Sequence, residues 1–181
     1  MHFGRFHTNR KCTVNGRILS SVDRQRDLGV QVHRSLKVAM QIEKVVKKAY
    51  GMLAFTGRGT EFKNCQVMLQ LYRILVRLHL EYSVQFWSPH YQKDVDALER
   101  VQKRFTRMLP GMEGISYEER LEKLGLFSLE RRKLRSDLIE VYKIMRGMDR
   151  VDSQKLFPRV EESITRGHRF KVRGARFKGD V

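Results

Sequence analysis

The first part of the chain has apolar and polar patterns that are typical of short β-strands. Asn15-Gly16 lies between short runs of β-forming residues. Asn-Gly in that setting is a strong hairpin signal, because a type I′ turn needs positive φ at both central residues. Residues 28–33 alternate between apolar and polar side chains with a period of two, and this pattern predicts a third strand. The pattern therefore predicts a β-hairpin or a small three-stranded sheet within residues 1–34.

Apolar positions recur at helical spacing over most of the remaining chain. Ser35 is expected to cap a first helix that ends at residues 57–59. Residues 64–82 predict a helix that is apolar almost all round and should be buried on several sides. Residues 92–109 predict a cleaner amphipathic helix.

Two further helices are indicated by their capping residues. Ser116 and Glu119 form a capping box, in which each side chain satisfies a free backbone N–H group. Ser128 is expected to cap the last long helix. Its inward face should consist of Leu134, Leu138, Val141, Tyr142 and Met145.

The apolar periodicity ends after Pro158, and the rest of the chain is expected to be extended or disordered when free. The predicted fold is mainly α: a bundle-like helical region after a remnant β-hairpin or three-stranded sheet, with a basic flexible tail. The predicted divisions are 1–34 for the strands, 35–150 for the helices and 151–181 for the tail.

The charge of the chain says more about its expected partner than its composition does. The chain has 37 basic and 20 acidic residues, a formal net charge of +17, and a polyanion is the partner that such an excess favours. Residues 1–60 hold 12 basic and 3 acidic side chains, whereas residues 61–97 hold 4 of each. This distribution indicates a buried centre surrounded by basic elements.

The sequence offers little for catalysis or for a membrane. It contains no adjacent aspartates, and Asp94 and Asp96 are interpreted as favourable charges at a helix start. We therefore predict no catalytic residue, no metal site, no cofactor and no small-molecule substrate. No apolar run approaches the roughly 20 residues of a membrane span. The start lacks a signal peptide, so a cytoplasmic or nuclear location is expected.

Basic clusters are the strongest candidates for function, because lysine and arginine neutralise phosphates whatever the base sequence. A solvated helix face is the alternative for each cluster. Three clusters stand on predicted helices: Lys44, Lys47 and Lys48; Arg100, Lys103, Arg104 and Arg107; and Arg131, Arg132, Lys133 and Arg135. In the tail, cations alternate with two phenylalanines that suit base stacking: Arg169, Phe170, Lys171, Arg176, Phe177 and Lys178.

Several segments resemble jockey-type LINE retrotransposon reverse transcriptases, in the region downstream of the polymerase core. The resemblance rests on LYRILVRLHLEY at 71–82 with Trp87-Ser88-Pro89, and on LERVQKRFTR at 98–107. Residues 26–30, 116–126, 137–143 and 165–168 are also similar. The last of these segments adds Arg166 and His168 to the candidate binding residues.

The resemblance implies that the chain is a truncated piece of an RNA-directed DNA polymerase. Residues 1–34 would be the end of its palm, and the helices would be its thumb and post-thumb region, which grip template and primer. The family's catalytic aspartate pair, which binds Mg²⁺, would lie upstream of this chain. The chain departs from the family at Leu78, where proline is usual.

These observations lead to one expected function and two alternatives. We expect the chain to bind RNA, DNA or an RNA–DNA hybrid without sequence specificity and without catalysis by itself. The palm of the parent enzyme is a further expected partner. The alternatives are a helical protein–protein interaction module and a non-functional translated relic of a retroelement.

Overall fold

The computed structural model describes residues 11–59, 64–160 and 170–174. Most of these residues are helical, and the named strands all precede the first helix. The prediction of a mainly α fold with a small N-terminal hairpin region is confirmed. The chain divides into two compact units, Met1–Lys133 and Leu134–Val181, and the boundary falls within one long helix.

The N-terminal strands form two separate antiparallel hairpins. Strand β1 (Thr13–Val14) pairs with β2 (Arg17–Ile18) around Asn15-Gly16. Asn15 and Gly16 have φ angles of 49° and 75°, so the predicted positive-φ turn is confirmed. All four strand residues are exposed.

The second hairpin corrects the prediction of a strand that begins at Leu28. Strand β3 (Arg24–Asp27) pairs with β4 (Val30–His33), and Leu28-Gly29 forms the turn between them. Leu28 has a φ angle of 43° and is 83% exposed, because it occupies the tip of the hairpin and faces no neighbouring strand. Val30 of β4 is buried, which attaches this hairpin to the core of the first unit.

Helix α1 spans Ala39–Gly59 and buries Ile42, Val45, Ala49 and Leu53 on one face. The prediction that Ser35 caps this helix is wrong. Leu36 has a φ angle of 56°, and a helix cannot pass through a residue in that conformation.

Residues 65–81 form the predicted central helix in three parts. Asn64 caps α2 (Cys65–Leu71), a π-helical segment follows at Tyr72–Val76, and α3 spans Arg77–Glu81. The buried residues recur every fourth position, at Met68, Tyr72, Val76 and Leu80. A stripe with that period drifts around a regular α-helix, and the wider π turn compensates for the drift.

The expectation that the central helix is buried on several sides is wrong for part of its surface. Val67, Ile74 and Leu78 are 48%, 57% and 59% exposed, since only one side of the helix faces α1 and the core. The helix ends near Ser83, which has a φ angle of 51°. A short helix, α4 (Val84–Trp87), then buries Trp87.

Helix α5 (Gln92–Arg107) packs against α1 and completes the core of the first unit. The rings of Tyr72 and Phe105 stack with their centres 4.1 Å apart. Helix α6 (Tyr117–Lys123) begins with the predicted capping box. The Ser116 N–H donates to Glu119 Oε2 at 3.1 Å, and the Glu119 N–H donates to Ser116 Oγ at 3.3 Å.

Helix α7 (Leu129–Arg146) is the long helix that both units share. The Arg131 N–H donates to Ser128 Oγ at 3.3 Å, as expected for the predicted cap. The predicted inward face is wrong for Leu134, Leu138 and Tyr142, which are 60%, 62% and 53% exposed. The apolar spacing is present, but within the described residues too few elements pack against this helix to cover it.

The second unit adds a short helix, α8 (Ser153–Leu156), and one antiparallel bridge between Arg159 and Val172. The predicted extended tail is seen only at this bridge, and most of it lies outside the described residues. Across the described ranges, no helix is long and apolar enough to cross a membrane.

Candidate nucleic-acid interface

The first basic cluster lies on the exposed face of α1. Lys44, Lys47 and Lys48 are all exposed, at the i, i+3 and i+4 spacing that places residues side by side on a helix. The opposite face of α1 packs into the core, so the three ammonium groups can only point towards solvent or a partner.

The second basic cluster repeats this arrangement on α5. Arg100, Lys103, Arg104 and Arg107 are exposed, and their spacing extends the stripe over two helical turns. The Arg100 Nε–H donates to the backbone oxygen of Asp96 at 3.3 Å, which fixes the start of this stripe. We call the two clusters the α1 stripe and the α5 stripe.

Aromatic rings hold the α5 stripe in place. The Arg104 guanidinium lies 5.8 Å from the centre of the Tyr50 ring, so the α5 stripe borders α1. Lys103 Nζ lies 5.1 Å from the centre of the Tyr117 ring. Cation–π contacts of this kind restrain the side chain while its charge stays available to a phosphate.

Both stripes keep most of their positive charge within the part of the chain that the structure describes. The ion pairs among the described residues involve none of the seven cations. Glu43 of α1 and Asp96 of α5 are exposed acidic neighbours, and Glu99, on the inner side of α5, interacts electrostatically with Lys103. The two stripes are therefore positively charged faces of two helices that pack against each other.

The third predicted cluster, on α7, does not behave as one group. Arg132 forms a bidentate ion pair with Glu81, in which its Nη2 nitrogen lies 3.1 Å from Glu81 Oε2. This hydrogen bond is the main reason why the pKa of Arg132 is raised. Arg131 is exposed and Lys133 is half-buried, whereas Arg135 belongs to the second unit.

Few of the candidate residues of the tail are among those that the structure describes. Arg166, His168, Arg169, Arg176 and Lys178 lie outside the described residues. Lys171 is described, and its backbone oxygen accepts from the Val160 N–H at 3.0 Å beside the β-bridge.

Phe170 is the tail aromatic that the structure places. Its ring centre lies 5.0 Å from the Arg146 guanidinium and 5.3 Å from that of Arg159. This ring therefore already packs against two cations of its own unit. The predicted role of Phe170 in stacking on bases stays a prediction.

A basic pocket near the α1 stripe was not predicted from the sequence. Arg26, Lys44, Lys48 and His79 line a cavity of about 300 Å³ together with Tyr82. Burial, followed by the charge of Lys48, lowers the pKa of His79. No sequence pattern could have identified this group, because its members come from a hairpin and two helices that are distant along the chain.

A buried hydrogen-bond network lies on the inner side of α5, opposite the α5 stripe. Tyr72 donates to Gln102 Oε1 at 2.7 Å, and Gln102 Nε2 donates to the Tyr117 hydroxyl at 2.9 Å. Tyr117 in turn donates to Glu99 Oε1 through a short hydrogen bond. Burial raises the pKa of Glu99, while the hydrogen bonds from Tyr117 and from the Leu129 N–H oppose that effect.

Comparison of the chain with protein-family models, curated proteins and solved structures finds no match. The chemistry of the surface therefore rests on its own residues. In the part of the chain that the structure covers, no group of three or more His, Cys, Asp or Glu side chains could hold a metal ion. The arrangement is suited to contact with a phosphate backbone.

Proposed function

We propose that this chain binds RNA, DNA or an RNA–DNA hybrid without sequence preference, through the α1 and α5 stripes. The observation that carries the proposal is the set of seven exposed cations on two packed helices, none of them in an ion pair within the described residues. Such a surface contacts phosphates, which are the same in every base sequence.

The energetic argument concerns repulsion between like charges. Each like-charge pair at i,i+3 or i,i+4 spacing destabilises a helix by about 0.2–0.5 kcal/mol. Both stripes are built from such pairs. A phosphate backbone laid along them removes the repulsion and releases condensed counterions into solution.

The proposed parent is the RNA-directed DNA polymerase of a jockey-type LINE retrotransposon. The sequence motifs at 71–82 and 98–107 support this origin, and both fall on helices of the first unit, where a thumb would contact template and primer. On this proposal the chain binds without catalysing polymerisation, since its sequence contains no adjacent aspartates to hold the two metal ions.

Fluorescence anisotropy with labelled single-stranded RNA, single-stranded DNA and an RNA–DNA hybrid of one sequence tests the proposal. The double variant R100E/R107E reverses both ends of the α5 stripe. It should weaken binding to all three ligands by about tenfold or more, because the phosphate contacts are shared.

The matched control is R17E/K123E, which changes the net charge equally at exposed positions outside both stripes. The control should bind nearly as the unmodified protein does. Equal weakening by both double variants would show that only total charge matters. Such a result, or no binding by the unmodified protein, would contradict the proposal.

A second candidate function, a helical protein–protein module, is favoured by the exposed apolar side chains of α7. Leu134, Leu138, Ile139 and Tyr142 are between 45% and 62% exposed. If this surface binds protein, sedimentation velocity should show association that depends on concentration and survives high salt. A monomer at every concentration, in low and high salt, would contradict self-association through α7.

A further inference from the structure

The basic pocket is an open cavity between the β3–β4 hairpin, α1 and α3, all within the first unit. Arg26 comes from β3, Lys44 and Lys48 come from α1, and His79 comes from α3. Its volume of about 300 Å³ lies at the lower end of the range for small-ligand sites, about 300–1,000 Å³.

The described wall of the pocket carries positive charge. Among the lining residues that the structure describes, none is an aspartate or a glutamate. Arg26, Lys44 and Lys48 take part in no ion pair with any described residue. Three permanent cations around one concave cavity create a strong positive electrostatic potential, which favours the binding of an anion.

Fixed contacts hold the wall in shape. The Tyr82 hydroxyl donates to the Leu28 oxygen at 2.9 Å, which ties the hairpin turn to the end of α3. Gly29 lies against the same ring: a Cβ atom there would be 3.7 Å from Tyr82 Cε1. The cavity is therefore a built feature of the fold, held by contacts between its walls.

A buried amide also faces this cavity. Gln41 is 4% exposed and lines the pocket, and its Oε1 accepts from the Gln31 N–H at 2.9 Å. The amide NH₂ group of Gln41 is the part of this side chain that can donate to a ligand. It adds a directional donor to the three cations.

We propose that this pocket binds a phosphate monoester, the terminal phosphate of a nucleic-acid strand. A monoester carries a charge of about −1.5 to −2 at neutral pH, whereas a backbone diester carries a single negative charge. The cluster of cations matches the higher charge. A concave cavity also suits a group with one covalent attachment, because the strand needs only one exit.

His79 adds a group that can respond to the ligand. Burial and the charge of Lys48 lower the pKa of His79. A bound phosphate brings negative charge, which favours the protonated imidazolium and adds a charged donor.

This inference rests on the proposed binding of nucleic acid, and its test separates the two. Anisotropy compares one oligonucleotide with a 5′-phosphate, with a 3′-phosphate and with neither. A phosphate at one end should tighten binding by about tenfold or more, since it gains charge-assisted hydrogen bonds. Calorimetry with adenosine monophosphate and adenosine probes the pocket without a strand.

The double variant R26Q/K48Q should remove the preference for a phosphorylated end. The R100E/R107E variant should weaken all strands and keep that preference. The single substitution K44Q should reduce the preference partly. It keeps the test valid if thermal unfolding shows that the double variant is misfolded. All three substituted pocket residues are exposed, so the fold should be retained.

Equal affinity for phosphorylated and unphosphorylated strands would overturn the inference, as would a preference that persists in R26Q/K48Q. If no strand binds, the proposed function is contradicted. Calorimetry with adenosine monophosphate and adenosine then tests the pocket by itself. Binding of adenosine monophosphate but not adenosine, lost in R26Q/K48Q, would support the pocket. No binding of adenosine monophosphate would overturn it.

Discussion

Glu99 and Gln102 link distant parts of the first unit through the interior of the protein. Gln102 is fully buried and bonds to Tyr72, Tyr117 and the backbone oxygen of Phe127. Glu99 accepts from Tyr117 and from the Leu129 N–H at 3.0 Å. Because these partners come from different elements, the network sets the position of α5 and of the stripe on its outer side.

The substitution Tyr117→Phe should destabilise the protein by about 1–3 kcal/mol near neutral pH, because it leaves buried polar groups without a partner. The pKa of Glu99, already raised by burial, should rise further when this donor is lost. A carboxyl group whose pKa is raised in the folded protein lowers the stability of the fold as the pH rises from its unfolded pKa through its folded pKa. The destabilisation should therefore be larger at pH 7.5 than at pH 5.

Urea denaturation of both proteins at the two pH values measures this difference. Tyr72→Phe is the matched control, since it removes a hydroxyl that bonds to Gln102 and not to Glu99. Its cost should change little between the two pH values. A Tyr117→Phe cost that is the same at pH 5 and pH 7.5 would contradict the role assigned to Glu99.

Arg131 and Arg132 are neighbours in sequence with different roles in the structure. Arg132 pairs with Glu81, and both side chains are about one-third exposed. Arg132→Gln should cost about 1 kcal/mol, discounted for this exposure. Arg131→Gln should change stability by less than about 0.5 kcal/mol. Thermal unfolding of the two variants compares them, and equal costs would show that the ion pair contributes nothing.

Sequence patterns identify single residues only where local spacing decides their environment. The buried positions Ile42, Val45 and Ala49 follow from helical periodicity. Glu99 and Gln102 do not, because their partners lie 15 to 30 residues away along the chain. The pairing of Arg132 with Glu81, 51 residues apart, is hidden for the same reason.

At the scale of elements, α1 has a well-packed inner face, whereas its outer face contains a residue that destabilises a helix. Gly51 lies among the exposed residues of α1, and a Cβ atom placed there would meet nothing within 4 Å. Glycine inside a helix costs roughly 0.5–1 kcal/mol relative to alanine, because it loses more backbone freedom on folding.

The substitution Gly51→Ala should therefore stabilise the protein by about 0.5–1 kcal/mol. It adds no charge beside the α1 stripe, so affinity for single-stranded RNA should stay unchanged. Urea denaturation and anisotropy check the two expectations. A loss of stability would contradict the helical, solvent-facing placement of this residue.

The elements that the sequence predicted well are those with strong local signals. The Asn15-Gly16 turn and the Ser116 cap each need only residues within a few positions of one another. The start of α1 and the Leu28 turn were missed, because left-handed φ angles at Leu36 and Leu28 are not favoured by leucine itself. The exposed face of α7 was missed because periodicity cannot show what is available to cover it.

At the scale of the whole molecule, the α1 and α5 stripes both lie in the first unit, on the outer faces of helices that pack into the core. The net charge of +17 for the whole chain was available from the sequence, as were the residues of the two stripes. The contact between the two helices that carry these stripes was not available, because it is set by the tertiary packing of α1 against α5. The pocket was not predictable either, because it depends on the packing of α1 against α3 and on the position of the second hairpin.

The most direct test of nucleic-acid binding is the dependence of affinity on salt for single-stranded RNA. The logarithm of the association constant should fall linearly with the logarithm of salt concentration, with a slope that corresponds to about 4–8 phosphate contacts. R100E/R107E should reduce this slope by more than one unit, and R17E/K123E should preserve it. A shallow slope in the unmodified protein, or a slope that R100E/R107E leaves unchanged, would contradict binding through the two stripes.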